Sequence, residues 1–329
     1  MGVNKEKILE KSFFEFSDDT VDKEIEKLKK EKNAIILGHF YQTSDVQDIS
    51  DYLGDSLKLA QLAAETNADI IIFAGVHFMA ETAKILSPGK KVIIPDLNAG
   101  CSLADSCPPE DFRKFVNKHP DHTVISYVNT TAEIKTMTDI CCTSTNALEI
   151  VRYLPDDEKI IFAPDKNLGN YIQRVTSRDM LIWPGACHVH EEFSVEKIIE
   201  LKEQHPGAKI IAHPECEKPI LLLADHIGST SSLLNFTKTD GSAKYIVATE
   251  SGIIHQMKKA NPKKEFIVAP PKDSTCGCND CSYMKLITKR KILHSLKYEM
   301  PEVELKKNTI ENAKKPIVKM LEISRELGL

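Results

Sequence analysis

Nine cysteines, eleven histidines and several serine and threonine clusters carry the chemistry open to this chain of 329 residues. Cys101, Cys187 and Cys281 each lie just past an apolar run that ends at proline, residues 92–95, 181–184 and 266–270, and they stand 86 and 94 residues apart. One cysteine per unit points to one shared site. Three thiolates meeting at a point suit an iron-sulfur cubane held through three irons, the fourth iron remaining open to a substrate oxygen or nitrogen. Zinc also takes three cysteines, but a structural zinc needs a fourth ligand such as His188 or His190. The run Cys276-Gly277-Cys278-Asn279-Asp280-Cys281 is the strongest local metal signal. Spacing does not say which of its sulfurs binds, and a local zinc knot is the competing reading. Cys107, Cys141, Cys142 and Cys216 read as small buried hydrophobes.

His39, Asn129 and His213 fall at the ends of a second set of apolar runs, and Tyr41, Tyr127, His190 and Glu215 stand at or near strand ends as well. Such side chains act as general acids and bases near neutral pH when their surroundings tune them. Hydroxyl clusters at Ser56, at Thr143 and Ser144, and at Ser229 and Thr230 precede helix-periodic segments. They are helix-capping residues by type, and the helix starts behind them attract anions. His119, His122, His205, His226, His255 and His294 are read as structural. Lys84 and Lys166 can either neutralise a substrate's charge or be ordinary solvated lysines.

The elements that must position these groups recur. An apolar strand ending in polar residues appears three times, from Ile35, Val124 and Ile210, with starts 86 to 89 residues apart. A hydroxyl cluster and helix follow, then a second strand, a helix, and a third strand ending at proline. Continuous Val/Ile runs alternating with helices indicate parallel sheets covered on both faces. The fold expected is α/β: three homologous three-layer α/β/α sandwich units around a pseudo-threefold axis. Residues 1–105 with 280–329 form the first unit and carry the terminal helices, 106–190 the second and 191–279 the third. Val21, Ile25 and Leu28 mark a leading helix, and residues 310–327 a trailing one interrupted by Pro316.

Composition bounds the rest. Hydrophobic residues at 42% and charged residues at 28% are those of a globular chain, and a net charge of −5 provides no field for nucleic acid or anionic lipid. The basic run from Lys285 to Lys291 reads as a solvated helix face. No apolar run is long enough for an export signal or a membrane span, so a cytoplasmic protein with reduced thiols is expected.

The motifs Gly38-His39-Phe40-Tyr41-Gln42, Gly54-Asp55-Ser56, Asn98-Ala99-Gly100-Cys101-Ser102, Tyr127-Val128-Asn129, Pro164-Asp165-Lys166-Asn167, Pro184-Gly185-Ala186-Cys187-His188-Val189-His190, His213-Pro214-Glu215-Cys216, Gly228-Ser229-Thr230 and Cys281-Ser282-Tyr283-Met284 together resemble the quinolinate synthase family. The likeness covers nearly the whole chain. It implies a triplicated α/β/α fold around a [4Fe-4S] cluster, and condensation of iminoaspartate with dihydroxyacetone phosphate to quinolinate, with loss of phosphate and two waters. It selects Cys101, Cys187 and Cys281 as cluster ligands, although Ser282 stands where family members commonly have proline. It implies substrate contacts at His39, Ser56, Tyr127, Asn129, Ser144, His213, Glu215 and Thr230, and catalysis by Glu215, Tyr41, His39, His190 and His213. It also implies functional coupling to an enzyme that produces iminoaspartate. An aconitase-like hydro-lyase and a non-catalytic cluster-bearing sensor are the other classes, and the chain has no basic DNA-reading pattern to favour the sensor.

Overall fold

The computed structural model describes residues 18–273 and 280–329. Cys276 and Cys278 lie outside the described residues. Three four-stranded sheets, all parallel, share one strand order. The first contains β1 (Ala34–His39), β2 (Tyr52–Gly54), β3 (Ile70–Ala74) and β4 (Lys91–Ile93), arranged β2-β1-β3-β4. The second repeats this with β5 (Thr123–Tyr127), β6 (Ile140–Cys142), β7 (Ile160–Ala163) and β8 (Met180–Ile182), arranged β6-β5-β7-β8. The third has β9 (Lys209–Ala212), β10 (His226–Ile227), β11 (Lys244–Ala248) and β12 (Glu265–Val268), arranged β10-β9-β11-β12. The central β3 and β7 are buried at every residue, because helices cover both faces and leave no side for a polar alternation.

Each sheet has one strand more than the hydrophobic runs predict. The added strand is the short edge strand β2, β6 or β10, and two or three residues are too few to show a period. What marks it is an aspartate. Asp51, Asp139 and Asp225 each donate their backbone N–H to the first strand, at the carbonyls of Ile36, Val124 and Ile210. Their carboxylates accept the N–H of those same three residues at 2.7, 2.8 and 2.8 Å, with a sequence separation of 15 in every unit. This reciprocal pair makes His39, Tyr127 and His213 equivalent, three residues beyond it. Tyr41, Asn129 and Glu215 are equivalent two residues further on.

One continuous core joins the first two units to the terminal helices, from Val21 and Ile25 through Ile72 and Ile125 to Met320 and Ile323. The third unit has separate clusters on the two faces of its sheet, one around Ile210 and Ile246, the other around Ile211 and Val247. The trailing helix is unbroken from Lys307 to Glu326 and passes through Pro316, contrary to the interruption expected there. Its buried stripe of Ala313, Ile317, Met320 and Ile323 packs into the shared core and outweighs the ~3 kcal/mol that an internal proline costs. The helix lies against β6 of the second unit and the helix His77–Leu86 of the first. Ile317→Ala is therefore expected to destabilise the whole chain by about 2–5 kcal/mol, measured by denaturant unfolding. An unchanged midpoint would show that this tail is not part of the common core.

Candidate active site

The hydroxyl-bearing helices begin directly beyond the edge strands, so their starts face the space past the carboxyl ends of the sheets. In two of the three, the residue just before the helix caps it. Asp55 Oδ1 accepts from Lys58 N at 3.1 Å, and Ser229 Oγ from Ser232 N at 3.3 Å. In the second unit Thr143 Oγ1 accepts from Thr145 N at 3.2 Å. With these neighbours engaged by the backbone, Ser56, Ser144 and Thr230 line the cavity, Ser144 beside His213 and Thr230 beside Tyr41. Asp55 also lines it, placing a carboxylate at the first helix start, whereas the start at Ser229 and Thr230 carries no opposing charge.

A cavity lies where the carboxyl ends of the three sheets meet. It gathers His39 and Tyr41 from the first unit, Tyr127 and Asn129 from the second, and His213, Glu215, Thr230 and Glu250 from the third, with His190 between the last two units. Cys101, Cys187 and Cys281 line the same space. Among the described residues no arginine or lysine does. Lys84 is bound to Glu302 at 2.9 Å and Lys166 to Glu191 at 2.6 Å, so the charge-neutralising role open to them in the sequence is not theirs.

Backbone geometry sets the two equivalent histidines alike. Tyr41 N donates to His39 Nδ1 at 3.1 Å and Glu215 N to His213 Nδ1 at 3.4 Å. Because Nδ1 accepts in both, the proton of each neutral ring is assigned to Nε2. Burial lowers the pKa of His39 to about 4 and that of His213 to about 3, so both rings are neutral at pH 7. Tyr127 OH donates to Glu215 Oε1 at 2.6 Å, while Tyr41 OH lies 2.8 Å from both Thr230 and Thr249 Oγ1. Thr249 Oγ1 is in turn 3.0 Å from His190 Nε2. Burial would push the Glu215 carboxyl up, but the His213 and His190 rings and the Tyr127 hydroxyl together hold it low, at about 2. Burial pushes both tyrosines well above their ordinary value. The cavity thus holds an ionised carboxylate beside two protonated phenols, and Asn129 Oδ1 is buried without a partner.

The thiols share one local geometry. Cys101 and Cys187 cap the short helices Ser102–Asp105 and His188–Glu191, and Cys281 precedes the turn Met284–Leu286. Backbone N–H groups point at each sulfur: those of Leu103 and Ala104, of His190, and of Tyr283 and Met284. Such bonds favour thiolate, yet burial outweighs them, raising Cys101 to about 12 and pushing Cys187 and Cys281 upward too. A bound cationic group would offset that desolvation, so three part-buried thiols, each following the last strand of a different sheet, fit an iron-sulfur cluster chemically.

Two buried carboxylates fix the backbone of these turns, and neither has an assigned role in the sequence reading. Asp165 Oδ2 accepts from Cys187 N at 3.3 Å while Oδ1 caps the helix Lys166–Thr176. Glu250 Oε1 accepts from Cys281 N at 3.1 Å and pairs with Lys285 at 2.7 Å, and Lys285 also donates to Tyr41 O at 2.7 Å. The basic run is accordingly not a solvated face: Lys285 closes the site, Lys289 pairs with Asp22 and Lys291 with Asp96. Gly185 has no room for a side chain, since a Cβ there would come within 2.6 Å of Pro164 O.

A family model described as the quinolinate synthetase A protein matches residues 23–322. The chain belongs to this family. Among curated relatives named quinolinate synthase, that of Synechocystis sp. is 58% identical over 300 residues, covering 91% of this chain and 94% of the relative. That of Cyanophora paradoxa is 57% identical over 301 residues, covering 92% and 91%. That of Chloroherpeton thalassium is 53% identical over 317 residues, covering 96% and 98%. Membership makes the chain an enzyme of NAD biosynthesis. Among the described residues no helix is long and apolar enough to cross a membrane.

Two measurements check this electrostatic description. The unfolded chain protonates its histidines near pH 6.5, while folded His39 and His213 resist until about 4 and 3. Their contribution to stability is therefore intact above about pH 6.5 and is lost as pH falls towards those folded values. Melting temperature should decline over that window, and the His39→Gln/His213→Gln double variant should flatten the decline. Glu250→Gln leaves Lys285 without its charge partner and is expected to cost about 1–3 kcal/mol, read from denaturant unfolding; no loss would mean that the pair is idle.

Proposed function

We propose that this cavity condenses iminoaspartate with dihydroxyacetone phosphate to quinolinate, releasing one phosphate and two waters. The observation that carries the reading is the meeting of three cysteines, each from beyond the last strand of a different sheet, with an ionised carboxylate and two protonated phenols in a single cavity. Cys101, Cys187 and Cys281 would hold a [4Fe-4S] cluster. When bound, such a cluster supplies a Lewis acid at the iron that no protein side chain ligates.

The chain's own residues divide the remaining work. Glu215, ionised and buried, accepts a proton from substrate carbon. Tyr41 and Tyr127, which keep their protons at neutral pH, donate to developing oxyanions or leaving hydroxyls. His39 and His213 present neutral Nε2–H groups that orient carbonyl or carboxylate oxygens, and Asn129 Oδ1 awaits a donor from the substrate. With no arginine or lysine among the described residues lining the cavity, anions are met by backbone N–H groups and hydroxyls at Ser56, Ser144 and Thr230. Of these the start at Ser229 and Thr230 suits the phosphate best, because Asp55 opposes negative charge at the first. His190 links Thr249 to Glu215 and so couples the acid side of the cavity to the base.

Anaerobically purified protein should contain iron and inorganic sulfide in equal amounts and should form quinolinate from the two substrates. Serine at Cys101, Cys187 or Cys281 should remove cluster and activity together. Glu215→Gln should keep the cluster while turnover falls by roughly 10² or more. Protein that makes quinolinate without iron or sulfide, or a Glu215→Gln variant with full turnover, would overturn the respective part of the reading.

A further inference from the structure

A buried cation with no part in the chemistry above stands behind the cavity wall. Lys135 is fully buried at the end of the short helix Ala132–Lys135. Its Nζ donates to Val128 O at 2.9 Å and to Thr130 O, and lies 3.5 Å from Thr130 Oγ1. An ammonium has three protons to give and no lone pair, so three oxygen partners match the charged form. Burial lowers the pKa of this group from the ordinary lysine value, and all three partners are uncharged. A core position filled in this way costs more than an aliphatic side chain would. Its consequence is the shape of one turn. The two carbonyls belong to the residues on either side of Asn129, and hydrogen bonds from a charged donor are roughly twice as strong as neutral ones. The turn has other ties: Val128 N donates to Cys142 O at 2.9 Å, Thr130 Oγ1 to Tyr127 O at 3.1 Å, and Ala132 N to Glu81 Oε2 at 2.9 Å. Lys135 adds a single group that grips the chain both before and after Asn129.

We propose that Lys135 is a positioning residue for substrate binding, holding the turn at residues 128–130 so that the Asn129 amide meets a carboxylate-bearing substrate. Asn129 lines the cavity, and its Oδ1 is buried without a partner, so the backbone that carries the amide decides where it stands. The amide offers Oδ1 to a substrate N–H or O–H and Nδ2 to a carboxylate oxygen. Lys135 itself does not line the cavity, and its effect on a bound molecule passes through Asn129. The identity of that molecule rests on the function proposed above, whereas the hold on the turn does not.

Quinolinate binding to the anaerobically purified, full-length protein, read by calorimetry, tests the proposal. Lys135→Met, which keeps the length and apolar body of the side chain, and Asn129→Ala should each weaken binding by about 10- to 100-fold. The double variant should bind no more weakly than Asn129→Ala, because nothing is left to position. In turnover the Lys135→Met loss should fall on KM more than on kcat. Wild-type affinity in Lys135→Met, losses that multiply in the double variant, or a loss confined to kcat overturns the proposal. Where Lys135→Met does not fold, Lys135→Gln, which keeps a donor for one carbonyl, is put through the same cycle and judged by the same outcomes. Hydrogen exchange gives an arm that needs no ligand: residues 127–134 should exchange faster in Lys135→Gln while the third unit keeps its protection. Unchanged exchange at the turn overturns the hold itself. A wild-type chain that binds no quinolinate counts against the proposed function alone, since exchange still decides what Lys135 holds.

Discussion

A carboxylate that is 3% exposed cannot remain charged without partners, and the surroundings of Glu215 are organised by that requirement. Its three partners arrive from different parts of the chain. Tyr127 comes from the end of β5, His190 from the short helix after the second sheet, and His213 from its own strand end. Thr249, at the end of β11, then ties His190 to Tyr41 from the first unit. Satisfying one buried charge thereby holds the ends of all three sheets in register. At the cavity itself, the ends of the sheets meet through polar side chains.

The apolar cores are distributed to suit this arrangement. The first two units share one core with the terminal helices, so their relative placement is set by burial. The third unit has its own clusters, one of which takes in Phe40 of the first unit, and it also reaches the others through polar contacts. Gln47 donates to Phe40 O, Gln42 O and Gly252 O, Ser144 pairs with His213, and Lys285 bridges Glu250 and Tyr41. Polar contacts of this kind depend on orientation, which places the reactive groups of the third unit accurately against those of the other two.

The buried acids Asp165 and Glu250 repeat the principle one layer out. Each accepts the backbone N–H of a cavity cysteine, and each uses its second oxygen on a neighbouring backbone N–H, of Leu168 or Gly252 respectively. The thiols are thus carried on turns whose backbone is fixed from behind, while N–H groups face the sulfurs from the front. The N–H groups work against the desolvation that keeps an isolated buried thiol protonated, whereas the acids behind the turns act with it.

Much of this was legible in the residues. Repeated Val/Ile runs with proline-terminated third strands specify three parallel sheets, since a strand buried on both faces has no alternative composition. The order of cysteines, histidines and hydroxyls identifies the family's motifs, and those residues do line one cavity. The 15-residue spacing that defines the repeat most sharply was present too, in Asp51, Asp139 and Asp225, but an exposed aspartate has no distinctive local pattern until its hydrogen bonds are seen. The edge strands were too short to carry a period, and Pro316 misled because its cost is local while the burial that overrides it is not. Pairing Glu215 with Tyr127 rather than Tyr41, setting Glu250 behind Cys281, and turning Lys285 inward were decided only by the tertiary structure. Local sequence encodes which side chains stand at the end of a strand. Which of them touch depends on how three separately encoded sheets pack, and that is fixed by long-range burial and by the charges that packing must satisfy.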